Sequence, residues 1–395
     1  MKSSSIVNIF TWCMFCTAHG DYTTTIVPGQ SYGLWEGWGT SLAWWAKAFG
    51  DREDVADAIF TMQSATIGHE TVPGLGINIV RYNQGASSEV PAHGEVMETS
   101  PNASPTRLID AFWLDWSDDN AEGGGTWDWS RDAGQRSMLQ KARDRGADIF
   151  QLFSNSPVWW QCLNHNPSGS DSGSSDNLQW WNYGQHAAGL VEILAHAREY
   201  WNVTFSSVEA FNEPMSSWWT STGTQEGCHF DVSTQRAVLG ELRSELDGRG
   251  FAEVEIAASD ETSYTLALST WEALAEEQEK VDLVTVHGYE YGGGRRDLLY
   301  DAVQAAGKKL WNSEYGEGDA SGMSLASNLN LDMRWLHPTA WVYWQASLQI
   351  AWLHWVRVSS CLCFVGWTER KQEVTIMSPS LCKPTGRYST AAAGD

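Results

Sequence analysis

Two glutamates stand 101 residues apart, each at the end of a short apolar run: Glu213 in VEAFNEP and Glu314 in LWNSEYG. Two carboxyl groups about 5–5.5 Å apart can cleave a glycosidic bond with retention, one protonated as the acid and one ionised as the nucleophile. Their neighbours suit that chemistry. Asn212 can bond a sugar hydroxyl, and Pro214 disfavours helical backbone at Glu213, which predicts an extended, fixed exit. His287 and Tyr289, in VTVHGYE, can reach Glu314 and hold it ionised, and Arg81 can add a positive charge. Asp260 and Glu261 compete for a role, but their run follows that of Glu213 and would place them beside it. A single loop glutamate is ordinarily a solvated ion-pair member; the joint pattern points to a hydrolase site. The sequence has no HExxH and no Walker loop, so no metal, nucleotide or other cofactor is expected.

Eight short β-branched or aromatic runs must position these residues, at 37–41, 77–82, 148–153, 207–211, 254–258, 283–287, 309–313 and 339–344. Between them lie stretches of helical spacing: Leu190, Ile193, Leu194 and Ala197; Leu239, Leu242 and Leu246; Leu299, Ala302, Val303 and Ala306. Strands alternating with helices predict an α/β chain, a (β/α)8 TIM barrel over 33–345. A doubly wound sheet is the fallback, but no glycine-rich fingerprint follows the first run. The runs end in polar and aromatic residues, where barrel enzymes carry their chemistry. Glu213 then ends strand four and Glu314 strand seven, facing each other across the ring. Two inserts, 84–130 and the Ser/Gly-rich 167–177, follow strand ends and can shape a cleft; the second is expected to be mobile.

Composition narrows the partner. Hydrophobic residues at 42% and charged residues at 19% mark globular material. A net charge of −24 argues against nucleic acid or an anionic membrane as the main partner and says nothing of which neutral substrate binds; the chain is read as a monomer. Tryptophan can pack in a core or lie under the flat face of a sugar. Among 24 of them, the pairs Trp44-Trp45, Trp159-Trp160, Trp180-Trp181 and Trp218-Trp219 bring a sugar cleft to mind. Residues 1–20 read as a secretory signal, with one Lys, an apolar stretch and Ala18-His19-Gly20. In an oxidising compartment Cys162 and Cys228 are a candidate disulfide, and Asn202-Val-Thr and Asn102-Ala-Ser are candidate glycosylation sites, the second weakened by Pro105. The tail, 346–395, changes character: five basic and three acidic residues against 20 and 46 before it, as a different reading of the gene would give.

The segments GLWEGWGTSLAWWAKAFG, SNSPVWWQCLNHNPSG, VEAFNEPMSSWWTSTGTQEGCH, IAASDETSY, VTVHGYE and LWNSEYGEG, in this order, resemble the fungal endo-β-1,6-galactanases of glycoside hydrolase family 30, from about Gly33 to Gln345. The resemblance implies a barrel with an attached β-sandwich, a retaining mechanism, Glu213 as acid/base and Glu314 as nucleophile. It implies that Asn212, His287, Tyr289 and Trp344 line the subsite of the attacked sugar; Arg81 and Trp159 complete the candidate sugar-binding set. The implied substrate is β-1,6-galactan; β-1,6-glucan and xylan are alternatives within the family. After Gln345 the resemblance stops. The sandwich is then expected to be truncated or absent, with the N-terminal strand segment of 21–32 left without partners. An inactive truncated or non-catalytic sugar-binding protein is the rival from another class.

Overall fold

The computed structural model describes residues 22–25, 29, 31–118, 125–319, 321–346 and 373–376. The signal reading of 1–20 and nearly all of the tail lie outside the described residues. The chain divides into two units. In the first, β1 (Tyr22–Thr25) pairs antiparallel with β12 (Glu373–Ile376), Tyr22 opposite Ile376. The N-terminal strand therefore has a partner, contrary to expectation: EVTI alternates β-branched residues with polar ones and can form a ladder even in a tail of unusual composition.

The second unit, Tyr32–His354, is built on a closed parallel barrel. Its strands follow chain order: β2 (Gly37–Ser41), β5 (Ile79–Gln84), β6 (Ile149–Ser154), β7 (Ser207–Glu209), β8 (Glu255–Glu261), β9 (Leu283–His287), β10 (Lys309–Tyr315) and β11 (Ala340–Tyr343), which closes on β2. A small hairpin of β3 (Ala65–Ile67) and β4 (Glu70–Val72) lies outside the ring order. These are the eight runs expected, with β7 and β11 shorter and β8 and β10 longer. Gly39 is required where β2 closes the ring, because a Cβ there would meet Val342 Cγ2 at 2.7 Å.

Helices cover the outside: α1 (Trp45–Phe49), α2 (Glu53–Phe60), α3 (Ala133–Asp144), α4 (Tyr183–His196), α5 (Val232–Gly248), α6 (Tyr264–Leu274), α7 (Arg296–Ala305) and α8 (Met323–Leu331). Leu190, Ile193 and Leu194 of α4, Leu239, Leu242 and Leu246 of α5, and Leu299 and Val303 of α7 are buried on the stripes their spacing predicts. Among the described residues, no helix is long and apolar enough to cross a membrane.

Side chains two residues apart on a strand share a face, and the barrel lumen uses this to change character with height. Ile79, Ala257, Leu283, Trp311, Ala340 and Val342 form its apolar layer. Two residues further along, Arg81, Ser259, Thr285 and Ser313 replace them, all buried. The polar layer lies toward the carboxyl ends of the strands.

Candidate active site

Two interruptions in the ladder aim the decisive residues. Register shifts between Asn312 and Glu314 on β10, bringing Glu314 opposite His287, and again between Ser259 and Glu261 on β8, around Asp260. Extra residues of this kind bend a strand locally and re-aim side chains beside active sites. Beyond β7 the chain bends through Phe211 and Asn212 to Glu213. Glu213 is not extended, as Pro214 led us to expect; its φ is 48°. Its N–H donates to Asp260 O at 2.9 Å, and Trp219 Nε1 donates to its carbonyl at 2.9 Å. These tertiary bonds hold a backbone conformation that local preference does not favour.

Glu213 and Glu314 come together as their spacing predicted. A carboxylate oxygen of each and a ring nitrogen of His287 all lie within 4.8 Å of one another. Tyr289 OH donates to Glu314 Oε1 at 2.8 Å and Arg81 Nη1 to Glu314 Oε2 at 3.2 Å. His287 Nδ1 lies 3.0 Å from Glu213 Oε1 and 3.6 Å from Glu314 Oε1. Both glutamates open into a cleft of about 540 Å³, lined also by Trp44, Asn212, Tyr289, Trp344, Trp218 and Trp219.

Of the six residues expected to bind sugar, Asn212, Tyr289 and Trp344 line the cleft. Asn212 is buried, and its Oδ1 has no protein partner among the described residues, leaving it free for a hydroxyl. The other three do not line it. Trp159 is fully buried in the main core, edge-on to His165; a Trp pair in sequence cannot distinguish core from cleft. Arg81 and His287 are also fully buried and act on carboxylates instead. Arg81 bonds Gln151 Oε1 at 2.8 Å, Ser313 O at 3.1 Å and Asp260 Oδ2 at 2.6 Å, with its guanidinium 4.0 Å over Phe153.

The rest of the aromatic wall comes from two of the four Trp pairs that pointed to a sugar cleft, through Trp44, Trp218 and Trp219. Trp44 sits at φ 68°, meets Trp344 edge-on at 5.1 Å and lies under the guanidinium of Arg107 at 4.4 Å. Arg107 also donates to Thr224 on the opposite loop. Trp219 packs so closely on Gly227 that a Cβ there would lie 2.0 Å from its ring. The signal available in sequence was the Trp pairs at 44–45 and 218–219. The insert 167–177, expected to be mobile, is pinned: Ser170 O accepts from Ser221 N, and Asn177 Nδ2 donates to Asn166 O. Polar side chains suit a loop that bonds to another loop as well as one that is solvated.

Cys162 and Cys228 are not bridged. Both are buried free thiols, Cys162 Sγ facing Pro157 O at 3.7 Å and Cys228 Sγ donating to His229 O at 3.3 Å. Each sulfur is turned toward a carbonyl. Asn202 and Asn102 are both exposed, but Asn102 Nδ2 already donates to Thr222 O at 2.8 Å, a bond that a glycan there would cost.

Electrostatics separate the floor groups. Burial alone would lower His287, but Asp260 and Glu314 raise it well above its ordinary value. Burial would raise Asp260, yet Arg81 and His287 hold it down at about 2. Burial raises Glu314 above the ordinary carboxylate range, with His287 and Arg81 opposing. Burial pushes Tyr289 well up and the Glu314 carboxylate adds to it, so its hydroxyl stays a donor. Burial also raises Glu261 to about 8, although Thr270 Oγ1 and Met215 N bond it. Glu213, His287 and Glu314 have the right atom types to hold a metal. However, a carboxylate faces each ring nitrogen of His287, and a doubly protonated imidazole has no lone pair for an ion.

The model of "O-Glycosyl hydrolase family 30" matches residues 21–267. An "Endo-beta-1,6-galactanase" of Hypocrea rufa is 57% identical over 330 residues, 83% of this chain and 68% of that protein. Among solved structures, a conserved exported protein from Bacteroides fragilis superposes with TM-score 0.67 at 19% identity, covering 81% of this chain and 71% of that one. The catalytic domain of GH30 xylanase C from Talaromyces cellulolyticus gives 0.58 at 19%, covering 80% and 69%. At such identities the structures speak for the fold alone. The matched family, the close relative and a barrel that carries two glutamates at the ends of its fourth and seventh strands lead to one conclusion: this chain belongs to glycoside hydrolase family 30.

Proposed function

We propose that this chain is a secreted endo-glycosidase that hydrolyses β-1,6-galactan, such as the side chains of arabinogalactan proteins, by double displacement with retention. One observation supports the mechanism: a carboxylate oxygen of Glu213 and one of Glu314 lie within 4.8 Å of each other across the cleft, in keeping with the close carboxyl pair, about 5–5.5 Å apart, that retention uses. The substrate reading rests on the 57% identity to the Hypocrea rufa enzyme, and secretion on the N-terminal sequence.

Glu314, bonded by Arg81 and Tyr289, is the nucleophile. Its carboxylate attacks the anomeric carbon while Glu213 gives its proton to the departing glycosidic oxygen. The glycosyl ester on Glu314 then breaks as water attacks the same carbon. Glu213 takes the proton from that water, and Glu314 leaves as a carboxylate. Asn212 holds a hydroxyl of the attacked sugar, and Trp44, Trp218 and Trp344 offer flat apolar faces.

The purified chain is to be assayed for reducing-sugar release on de-arabinosylated arabinogalactan, β-1,6-glucan and xylan in parallel. The galactan should be cut fastest. Faster release from either other polymer would overturn the substrate, and binding to galactan without release would overturn the enzyme.

A further inference from the structure

Asp260 does not line the cleft, yet four parts of the site hang on it. Its Oδ2 lies 2.6 Å from Arg81 Nη2 and 3.0 Å from His287 Nε2. Ser313 Oγ donates to its Oδ1, and its backbone carbonyl accepts the N–H of Glu213 at 2.9 Å. Its backbone sits at φ 60°, at the irregular end of β8. The imidazole it holds presents the other nitrogen to both glutamates, 3.0 Å from Glu213 Oε1 and 3.6 Å from Glu314 Oε1. His287 thus has a carboxylate oxygen 3.0 Å from each ring nitrogen, Asp260 at Nε2 and Glu213 at Nδ1.

We propose that Asp260 is a positioning residue for the hydrolysis: it holds His287 as an imidazolium between the two glutamates, and this trapped cation makes the pair carry one proton between them. The proposal rests on the acid and nucleophile roles given to Glu213 and Glu314. The groups facing His287 are Asp260 and Glu261 from β8, Glu209 from β7, Glu213 beyond it, Arg81 from β5, Glu314 from β10 and Tyr289 from its own loop. Glu209, fully buried, is pushed well above the ordinary carboxylate range by burial and by Asp260, and burial lifts Glu261 to about 8, so burial favours the neutral acid at both. Arg81 and His287 then carry two positive charges and Asp260 one negative. A buried site of low dielectric favours neutrality, which is reached when Glu213 and Glu314 share one negative charge and one proton. Without the imidazolium, burial would favour a proton on Glu314 as well, at the expense of the nucleophile.

The sign of the test follows. In Asp260→Asn, His287 loses the carboxylate at Nε2 and gives up its proton more easily. A neutral His287 no longer pulls Glu314 down, so the acid limb of kcat/KM against pH should move up by about one unit or more. At mildly acidic pH kcat should fall on the order of 10- to 100-fold, with KM little changed because Asp260 touches no substrate. Asp260→Glu should recover part of the loss. Independently, ring ¹⁵N signals of His287 in the native enzyme, assigned by their disappearance in His287→Gln, should show both nitrogens protonated from pH 5 to 8. In Asp260→Asn they should titrate inside that range. A neutral His287 in the native enzyme at pH 6 would overturn the proposal even if the variant does not fold. So would an Asp260→Asn enzyme with unchanged pH profile and unchanged ring signals. The native ring signals need no substrate, so failure to cut galactan would count against the proposed function and leave the state of His287 to be read separately.

Discussion

The floor of the cleft and its walls are built on opposite terms. In the floor, Arg81, Glu209, Asp260 and His287 are fully buried, and Asp260 is paired with Arg81 at 2.6 Å and with His287 at 3.0 Å. On the walls, Trp44, Trp218 and Trp344 are half-buried or exposed and offer ring faces. Breaking a buried ion network is costly, whereas an exposed ring can change with little effect on the fold. On the proposed function, the floor sets protonation and the walls hold the sugar. The two should fail differently when altered.

The largest effect should come from the catalytic pair itself. Glu314→Gln should lower kcat by about 10⁴-fold or more, and Glu213→Gln by about 10²–10⁴-fold, with KM much less affected. Thermal unfolding on the same samples checks that the fold is kept. Loss of binding with chemistry unchanged would place these residues on the wrong side of the comparison.

Next comes the effect of pH on stability. Asp132 and Glu226, buried, are raised to about 7 and Glu261 to about 8. A group raised in the folded state stabilises fully below its unfolded value, near 4, and loses that contribution as pH rises through the folded one. His186 and His196, lowered by burial to about 4, act in the opposite sense, but only below about 6.5. From pH 6.5 to 8 these acids lose their contribution and His287, raised in the folded state, acts in the same sense, so stability should fall by about 2–3 kcal/mol or more. Denaturant titrations across that range measure it, and Glu226→Gln should flatten the fall.

The smallest effect belongs to the wall. Trp44→Ala should raise KM about 5- to 30-fold, equivalent to about 1–2 kcal/mol of lost ring contact, with kcat falling less. Initial rates over a range of galactan concentrations separate the two. A larger loss in kcat than in KM would mean that Trp44 supports the floor.

The same contrast explains what could be read from sequence. The strands announced themselves as apolar runs, and Glu213 and Glu314 as their polar ends, because a barrel places strand ends in a ring by topology alone. Local rules failed where distant contacts override them. Pro214 argued for an extended Glu213, but bonds from Asp260 and Trp219 hold it at φ 48°. Asp260 was set aside because its strand adjoins that of Glu213, yet that adjacency is what lets its carbonyl grip the Glu213 N–H. Trp159 and Trp44 looked alike as members of pairs; one is core and the other wall, and only the fold separates them. Cys162 and Cys228 carried no sign of which way their sulfurs turn.

The central claim is that Glu213 and Glu314 work as a retaining pair on β-1,6-galactan. The most direct test is ¹H NMR of a β-1,6-galacto-oligosaccharide digest during the first minutes, before mutarotation. The account predicts that the newly formed reducing ends appear first as the β anomer. Appearance of the α anomer first would contradict it.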